Sequence, residues 1–521
     1  MERIHTVAKT VKRFGEIRYR VVLEGVGVGA AAGLLVVLFR LVLERVEELM
    51  HTAVAYAGTH PWAVPVWFAV LLLAAGGTAL LLKWEPMIAG SGIPQVDGEL
   101  QGYFTQKWWR VIVAKFAGGI LTIGSGLSLG REGPSIQLGA MAGKGFARVT
   151  RRMRTEERML MTCGASAGLA AAFNAPLAGV LFSLEEVHKS FSVEVLLSCM
   201  ASSITADFIS RNVFGLRPLF DFSGAIAIPL SHFWIVMLLG LAVGFLGVLY
   251  NFCIDKAQGF YDKINNRYLR TVIPFLMAGV LAFVLPQVLG GGSKLIMEVA
   301  AGLPLGLLCA VLVVKFGFSI FSFSAGVPGG IFLPLLVLGS LCGGVFHGVF
   351  AALGMELNLQ ALVILGMVSC FAAIVRAPVT GILLITEMTG NFSHLLFLSL
   401  AALTAYAVAD LLKARPIYDQ LLRRMVLKHG SPMFHHETGE KVLLETPVQL
   451  GSSLCEKKVS QINLPGRCLI ISVKRGEGEI VPRGGTVLRA GDVLVALCDE
   501  NDSAGVQYAL EKQCKDMRDG E

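Results

Sequence analysis

Apolar residues in this chain form runs that no soluble fold needs. Leu49–Leu82, Met159–Leu184, Phe222–Ile254, Thr271–Ser293, Val299–Val314, Phe316–Met355, Leu357–Val375 and Met388–Ala409 contain no Asp, Glu, Lys or Arg. About 20 apolar residues suffice for a helix to span a bilayer, so the pattern predicts a polytopic, all-α membrane domain. The run Phe316–Met355 is about twice that length. Its middle reads Ala325-Gly-Val-Pro-Gly-Gly-Ile-Phe-Leu-Pro334, a density of glycine and proline that breaks a helix. Non-helical backbone at membrane depth survives only inside protein or beside a water-filled cavity, so interrupted helices are expected. Past residue 440 the pattern changes. KVLLETPVQ, CLIISVKRG and DVLVALCD are short runs rich in Val, Ile and Leu between Gly, Pro and charges, which predicts strands. Ser453–Ile462 and Asp502–Cys514 read as helices beside them, giving a small α+β domain.

The chain also repeats itself. At an offset of 200, residues 115–146 lie over 315–346, with Lys115/Lys315, Phe116/Phe316, Gly126/Gly326, Gly130/Gly330, Pro134/Pro334, Gly139/Gly339 and Gly143/Gly343 in register. Pro86/Pro286, Gly90/Gly290, Gly92/Gly292 and Gly102/Gly302 keep that offset upstream. Downstream it slips to 202, through Gly164/Gly366, Ala175/Ala377, Pro176/Pro378, Gly179/Gly381 and Glu185/Glu387. The membrane domain is therefore a duplication, roughly 21–215 and 228–412. Transporters built from such repeats place their sites on broken helices at the repeat interface. The offset does not say whether the halves are parallel or inverted.

Charge sharpens the division. Of 45 Lys+Arg and 38 Asp+Glu, 29 and 23 precede Lys413, leaving 16 and 15 for the remaining 109 residues. With 54% hydrophobic residues, 16% charged and a mean hydropathy of +0.65, a soluble enzyme, a fibre and a disordered chain are excluded. The parts read as an N-terminal segment 1–20, a membrane domain 21–425, a linker 426–440 and a soluble domain 441–521. The net charge of +7 sits in clusters beside the apolar runs rather than in a nucleic-acid-binding patch. By the positive-inside rule it places both termini in the cytoplasm. The 10 cysteines include no C-x-x-C pair, so no disulfide framework, metal site or cofactor is expected.

Three segments carry the candidate chemistry: Gly90-Ser-Gly-Ile-Pro94, Gly130-Arg-Glu-Gly-Pro134 and Gly329-Gly-Ile-Phe-Leu-Pro334. Each puts glycine and proline where an interrupted helix restarts. A helix start exposes unpaired N–H groups and a partial positive charge, which makes an anion site from neutral groups. A hydrogen bond to a charged group contributes about 1.5–3 kcal/mol, so several together offset an anion's dehydration. A buried lysine would hold the ion too tightly for transport. Close helix packing is the competing reading of any one such motif. Their repeat-related positions favour the anion site. Gly25-Val-Gly-Val-Gly29 resembles part of a dinucleotide fingerprint but lies in a membrane run, where helix packing explains it better. His435-His436-Glu437 reads as solvated linker rather than a metal site. Arg131 either shapes the local field or pairs with a carboxylate.

GSGIP, GREGP and GGIFLP, in this order and spacing, resemble the CLC family of chloride channels and proton-coupled chloride transporters, over about residues 20–425. The resemblance implies two inverted repeats of tilted, often partial helices, and a homodimer with one anion pathway per subunit. It implies that Ser91 supplies an anion-coordinating hydroxyl, that Ile331 and Phe332 donate backbone N–H groups, and that Tyr418 of Arg-Pro-Ile-Tyr faces the same ion from the cytoplasmic side. Glu132 corresponds to the external gate. Glu185 and Glu186 interrupt an apolar run, where carboxylates are functional candidates. Glu185 has the repeat mate Glu387 and reads as structural. Glu186 falls opposite Met388, and the resemblance makes it the internal proton acceptor that exchangers have and channels lack. Gln95 stands where many members carry glutamate.

The stretch LPGRCLIISVKRGEGEIVPRGGTVLRAGDVLVALCDEND resembles the C-terminal subdomain of domains that regulate potassium conductance (RCK_C, or TrkA-C), over about 441–514. It implies a regulatory role through a small ligand, a cyclic dinucleotide being the first candidate. The combined expectation is a proton/chloride antiporter of a prokaryotic cytoplasmic membrane, not an enzyme. The alternatives are a passive chloride channel of the same fold and a fluoride-selective relative. A potassium channel would need a carbonyl filter such as Thr-Val-Gly-Tyr-Gly, which the sequence lacks.

Overall fold

The computed structural model of the chain describes residues 2–188, 193–222, 225–226, 229–428, 441–462, 468–476, 478–499, 506, 509–510 and 513–514, with side chains from residue 20 except at 154–155, 188 and 441–442. It divides into two compact units, Met1–Met425 and Val426–Glu521.

The first unit is helical throughout, and 8 of its described helices are long and apolar enough to cross a membrane. The apolar runs do not map one to one onto helices. Leu49–Leu82 is shared between Glu2–Thr59 and Ala63–Trp84, broken at His60-Pro61. Met159–Leu184 is cut at Asn174, whose left-handed backbone (φ 55°) ends Arg154–Phe173 before Pro176 starts Pro176–Phe182. Val299–Val314 is split between Ser293–Ala301 and Leu305–Ser324. The forty-residue run breaks at 325–331, between Leu305–Ser324 and Phe332–Ala352. In each case the backbone turns where glycine, proline or a left-handed residue removes a helical hydrogen bond.

The repeats are related by a local two-fold. Gly130 and Gly330, equivalent at the offset of 200, donate to each other's carbonyls at 2.7 and 2.8 Å in an antiparallel bridge. Equivalent residues paired reciprocally in opposite directions are related by a local two-fold axis. Other pairs repeat the relation. Lys115 Nζ donates to the carbonyls of Ile88 (2.9 Å) and Gly90 (2.7 Å), and Lys315 Nζ to those of Val288 and Gly290, both at 2.8 Å. Asn174 and Arg376, equivalent at 202, are both left-handed C-caps. Gly139 packs against the Gly164 carbonyl, and Gly339 against that of Gly366. A Cβ at any of these four glycines would strike a backbone carbonyl, so glycine sets the approach of Glu132–Val149 to Arg154–Phe173 and of Phe332–Ala352 to Leu359–Val375. Gly25 and Gly29 likewise lie against the backbone of Ser198 and Ser202, which is helix packing and no dinucleotide loop.

The second unit holds one antiparallel sheet: β1 (Lys441–Pro447), β2 (Cys468–Arg475), β3 (Gly478–Ile480) and β4 (Val493–Asp499), in the order β1-β4-β2-β3. Three strands match the sequence expectation; β3, of three residues, adds a fourth that the expectation does not include. Ser453–Ile462 is not a helix. Its backbone N–H groups at Glu456 and Val459 pair with Leu488 and Thr486, Glu456 is left-handed (φ 65°), and only Val459–Gln461 forms a short 3-10 turn. Pairing with distant residues of the same chain satisfies donors that a helix would have used. Most of Asp502–Cys514 lies outside the described residues, as does His435-His436-Glu437. Val506, Leu510 and Cys514, four residues apart, are buried with Ile470, Val473, Leu494 and Ala496. Arg475 grips Asp492 through two 2.7 Å bonds and holds its carboxyl below the ordinary carboxylate range.

Candidate functional site

Three helices begin near the pseudo-two-fold. Gly92 (φ 99°) turns the chain into Ile93–Leu100, Arg131 precedes Glu132–Val149, and Ile331 precedes Phe332–Ala352. The first amides of each have no partner within their own helix. The approach is close. A Cβ on Gly133 would come within 2.5 Å of Ser91 Oγ and 3.2 Å of Gly330 Cα, and one on Gly130 within 3.2 Å of the Leu333 nitrogen. These glycines let Ser91, the Glu132 turn and the Ile331-Phe332-Leu333 turn share one small volume.

The polar side chains there are buried and unsatisfied. Ser91 Oγ, the Tyr418 hydroxyl and both carboxylate oxygens of Glu132 have no hydrogen-bond partner among the described residues. Glu132 is 0% exposed, Tyr418 1% and Ser91 2%. Each orphaned buried polar group costs about 1–3 kcal/mol, so several in one place mark a site for a ligand. The Glu132 carboxylate faces the amides of Glu132 itself and Leu333, the donors of its own helix start and of its repeat mate. Tyr418 reaches the site from Ile417–Lys428. Its ring meets Phe182 at 6.3 Å between centroids, and Phe182 in turn meets Phe332 at 6.2 Å. Phe332 also contacts Phe173 and Phe371 at 5.2 and 4.8 Å. This aromatic wall fixes both the tyrosine and the Phe332 backbone.

The nearby cations are occupied with structure. Lys115 and Lys315 hold the carbonyls that precede the two glycine turns. Arg131 Nη1 donates to Glu44 at 2.9 Å and its charge also acts on Glu132 and Glu47, so both readings of that arginine hold: it pairs with a carboxylate and shapes the local field. The described donors toward the orphaned groups are therefore hydroxyls and amides, suited to an anion that must leave again. The two lysines were visible in the sequence as repeat-matched charges inside apolar stretches. That signal marked the duplication and not their bonding partners, which lie 25 and 27 residues away in sequence.

The paired glutamates separate. Glu185 accepts from the Thr380 amide at 3.0 Å and its hydroxyl at 2.6 Å, while Glu387 accepts from the Leu177 and Ala178 amides at 3.2 and 2.8 Å. Each carboxylate caps the short helix of the opposite repeat, a shared structural job. Glu186 sits beside it on a π-helical turn, Ser183–His188, an irregularity frequent at functional sites. It is 8% exposed, its turn packs on Ile93–Leu100, and both Glu186 and Glu132 act electrostatically on Tyr418. The structure thus gathers Ser91, Glu132, Ile331, Phe332 and Tyr418 around one site, with Glu186 linked to it electrostatically through Tyr418. Gln95 holds the Ala89 carbonyl at 2.5 Å.

Residues 72–410 match the voltage gated chloride channel family, and residues 443–507 the TrkA-C domain. The chain belongs to the CLC family. This CLC chain is 34% identical over 417 residues to the H(+)/Cl(-) exchange transporter ClcA of Salmonella paratyphi B, covering 78% of its own length and 88% of the relative's, and equally to that of Salmonella newport. Among solved structures it is similar to a slow cyanobacterial Cl-/H+ antiporter, with 30% identity, a TM-score of 0.74, and 79% of this chain and 99% of that one covered. A CLC-type fluoride/proton antiporter shares the fold at 23% identity and a TM-score of 0.63, over 75% of this chain and 95% of that one. The family, the mostly helical membrane fold and the small α+β domain expected from sequence are all borne out.

Proposed function

We propose that this CLC chain exchanges protons for chloride across a prokaryotic cytoplasmic membrane, working as a homodimer with both termini in the cytoplasm. The carrying observation is the meeting of orphaned Ser91, Tyr418 and Glu132 groups at opposed helix starts, with Glu186 electrostatically linked to the same tyrosine. The exchangers among its relatives support protons and chloride as the exchanged ions. In this reading chloride is held by the Ser91 and Tyr418 hydroxyls and the Ile331 and Phe332 amides. Glu132 competes for the same donors as a carboxylate and leaves them when protonated, which couples the two ions. Glu186 supplies the cytoplasmic proton; its equivalent in the other repeat is Met388, which cannot carry one. The deciding experiment is chloride flux from purified protein in liposomes, with pH recorded simultaneously. Uphill proton movement driven by a chloride gradient is expected, and chloride flux without it would make the chain a passive channel.

The two hydroxyls have a measurable share. Replacing Ser91 with Ala and Tyr418 with Phe removes donors contributing about 1.5 kcal/mol each, or roughly tenfold in affinity apiece. Calorimetric chloride titration should show that weakening in the double variant, with transport retained and coupling loosened. Unchanged binding would remove both side chains from the site.

The tail is proposed to regulate. On the sheet face away from its core, Leu443 and Leu469 are exposed and flank Leu497 in register, a stripe suited to pairing of two tails in a dimer. A ligand at such a pair shifts transport only as far as it binds two arrangements differently, about 1–3 kcal/mol or 5–150-fold. Truncation after Lys428 should leave basal exchange intact and abolish the response to an added cyclic dinucleotide. Complete loss of exchange in a well-folded truncated dimer would make the tail part of the transport machinery.

A further inference from the structure

A cavity of about 280 Å³ opens in the membrane unit, lined by Glu47 and His51 of the first helix, Arg131, Lys294, Glu298 and Leu333. It abuts the gate. The Leu333 amide faces the Glu132 carboxylate, and the Leu333 side chain covers Gly291, itself a lining residue, so that a Cβ there would lie 2.8 Å from it. One residue therefore separates the open space from Glu132.

The carboxylates around this cavity are not equivalent. Glu44 is used in structure, accepting from Arg131. Glu47, one turn further along the helix, makes no hydrogen bond or ion pair among the described residues, although Arg131 and Lys294 act on it electrostatically. It also acts electrostatically on Glu132. An ionisable group on a membrane-spanning helix that faces a cavity and serves no pairing among the described residues is a functional candidate. The charged and titratable groups facing it are Glu44 and His51 from its own helix, Arg131 from the turn before Glu132, and Lys294 and Glu298 from Ser293–Ala301.

We propose that Glu47 is the carboxylate through which Glu132 exchanges protons with the solution on the cavity side, an inference that rests on Glu132 being the proton-carrying gate. The proton leaves the Glu47 carboxyl and arrives, through water in the cavity, on the Glu132 carboxylate. Glu47 is left ionised beside Arg131 and Lys294, whose charges favour that form, and takes its next proton from solution. Transport in the opposite direction reverses the step. Glu47 serves here as a relay, while anion binding stays with the hydroxyls and amides described above.

The test compares wild type, E47Q, E47D, E132Q and E47Q/E132Q in liposomes, with chloride and proton fluxes measured together. A positioned proton carrier contributes about 10²–10⁴-fold to a proton transfer; water in the cavity replaces part of that, so E47Q should slow coupled exchange by at least about tenfold. The ratio of the two ions should stay that of wild type, and E47D should recover most of the rate. In the E132Q background no proton step remains, so the double variant should pass chloride at the E132Q rate. A wild-type exchange rate in E47Q beside an uncoupled E132Q overturns this proposal alone. A chloride rate in the double variant several-fold away from that of E132Q overturns it too, by placing Glu47 on the anion path. Proton pumping retained in E132Q overturns the gate reading and this one with it.

Discussion

Glu132→Gln protein in liposomes is expected to pass chloride down its gradient while moving no protons. The reason lies in where the carboxylate sits. It is fully buried, neither oxygen has a hydrogen-bond partner among the described residues, and it faces the amides at two helix starts. An unpaired charge in such a place is costly unless those amides receive it, and they are the donors a chloride ion would use. Ion and carboxylate therefore exclude one another, and protonation decides which is present. Glutamine keeps the shape of the protonated side chain and can neither ionise nor carry a proton. Proton flux should fall to the level of protein-free liposomes, the largest effect expected of any single substitution here. Proton pumping against a gradient in this variant would disprove the assignment.

Glu186→Gln is expected to keep chloride flux and lose the protons, whereas its neighbour Glu185→Gln should keep both fluxes in the wild-type ratio. Glu185 caps the start of Pro378–Thr389 through the Thr380 amide and hydroxyl. Losing its charge weakens a helix cap, a change of about 0.5–2 kcal/mol, to be read as a lower melting temperature in detergent. Glu387→Gln should match it, because that residue caps Pro176–Phe182 in the same way. The two classes of phenotype are separable in one set of measurements: flux ratio for Glu186, thermal stability for Glu185 and Glu387. Exchanged phenotypes would show that the π-helical turn presents the other carboxylate to the proton route.

Much of the fold was legible because membrane helices announce themselves by composition and duplication by register. The broken helices at GSGIP, GREGP and GGIFLP were legible for the same reason, since glycine and proline act on the backbone locally. The tail was less transparent. Ile470 and Val473 both face its core because the register shifts between Ile470 and Ser472, a bulge that strict alternation does not foresee. Ser453–Ile462 has a helix-compatible composition, yet its amides pair with residues about thirty positions later, at Thr486 and Leu488. Local propensity gives way where a distant strand offers the better partner.

The sequence by itself determined the membrane class, the internal duplication and the residues able to make an anion site from neutral donors. These follow from local rules: hydropathy over one span, identity at a fixed offset, and the backbone freedom of glycine. Tertiary structure alone decided that the repeats meet across a local two-fold, through the reciprocal Gly130–Gly330 bridge. It also decided that Lys115 and Lys315 serve carbonyls, that Arg131 pairs with Glu44, and that Glu185 caps a helix of the other repeat while Glu47, beside a cavity, has no pairing among the described residues. Each of these depends on what lies across the two-fold or in the next helix. A charge's role in a low-dielectric interior is set by its nearest partners in space, and no pattern along one chain segment specifies those.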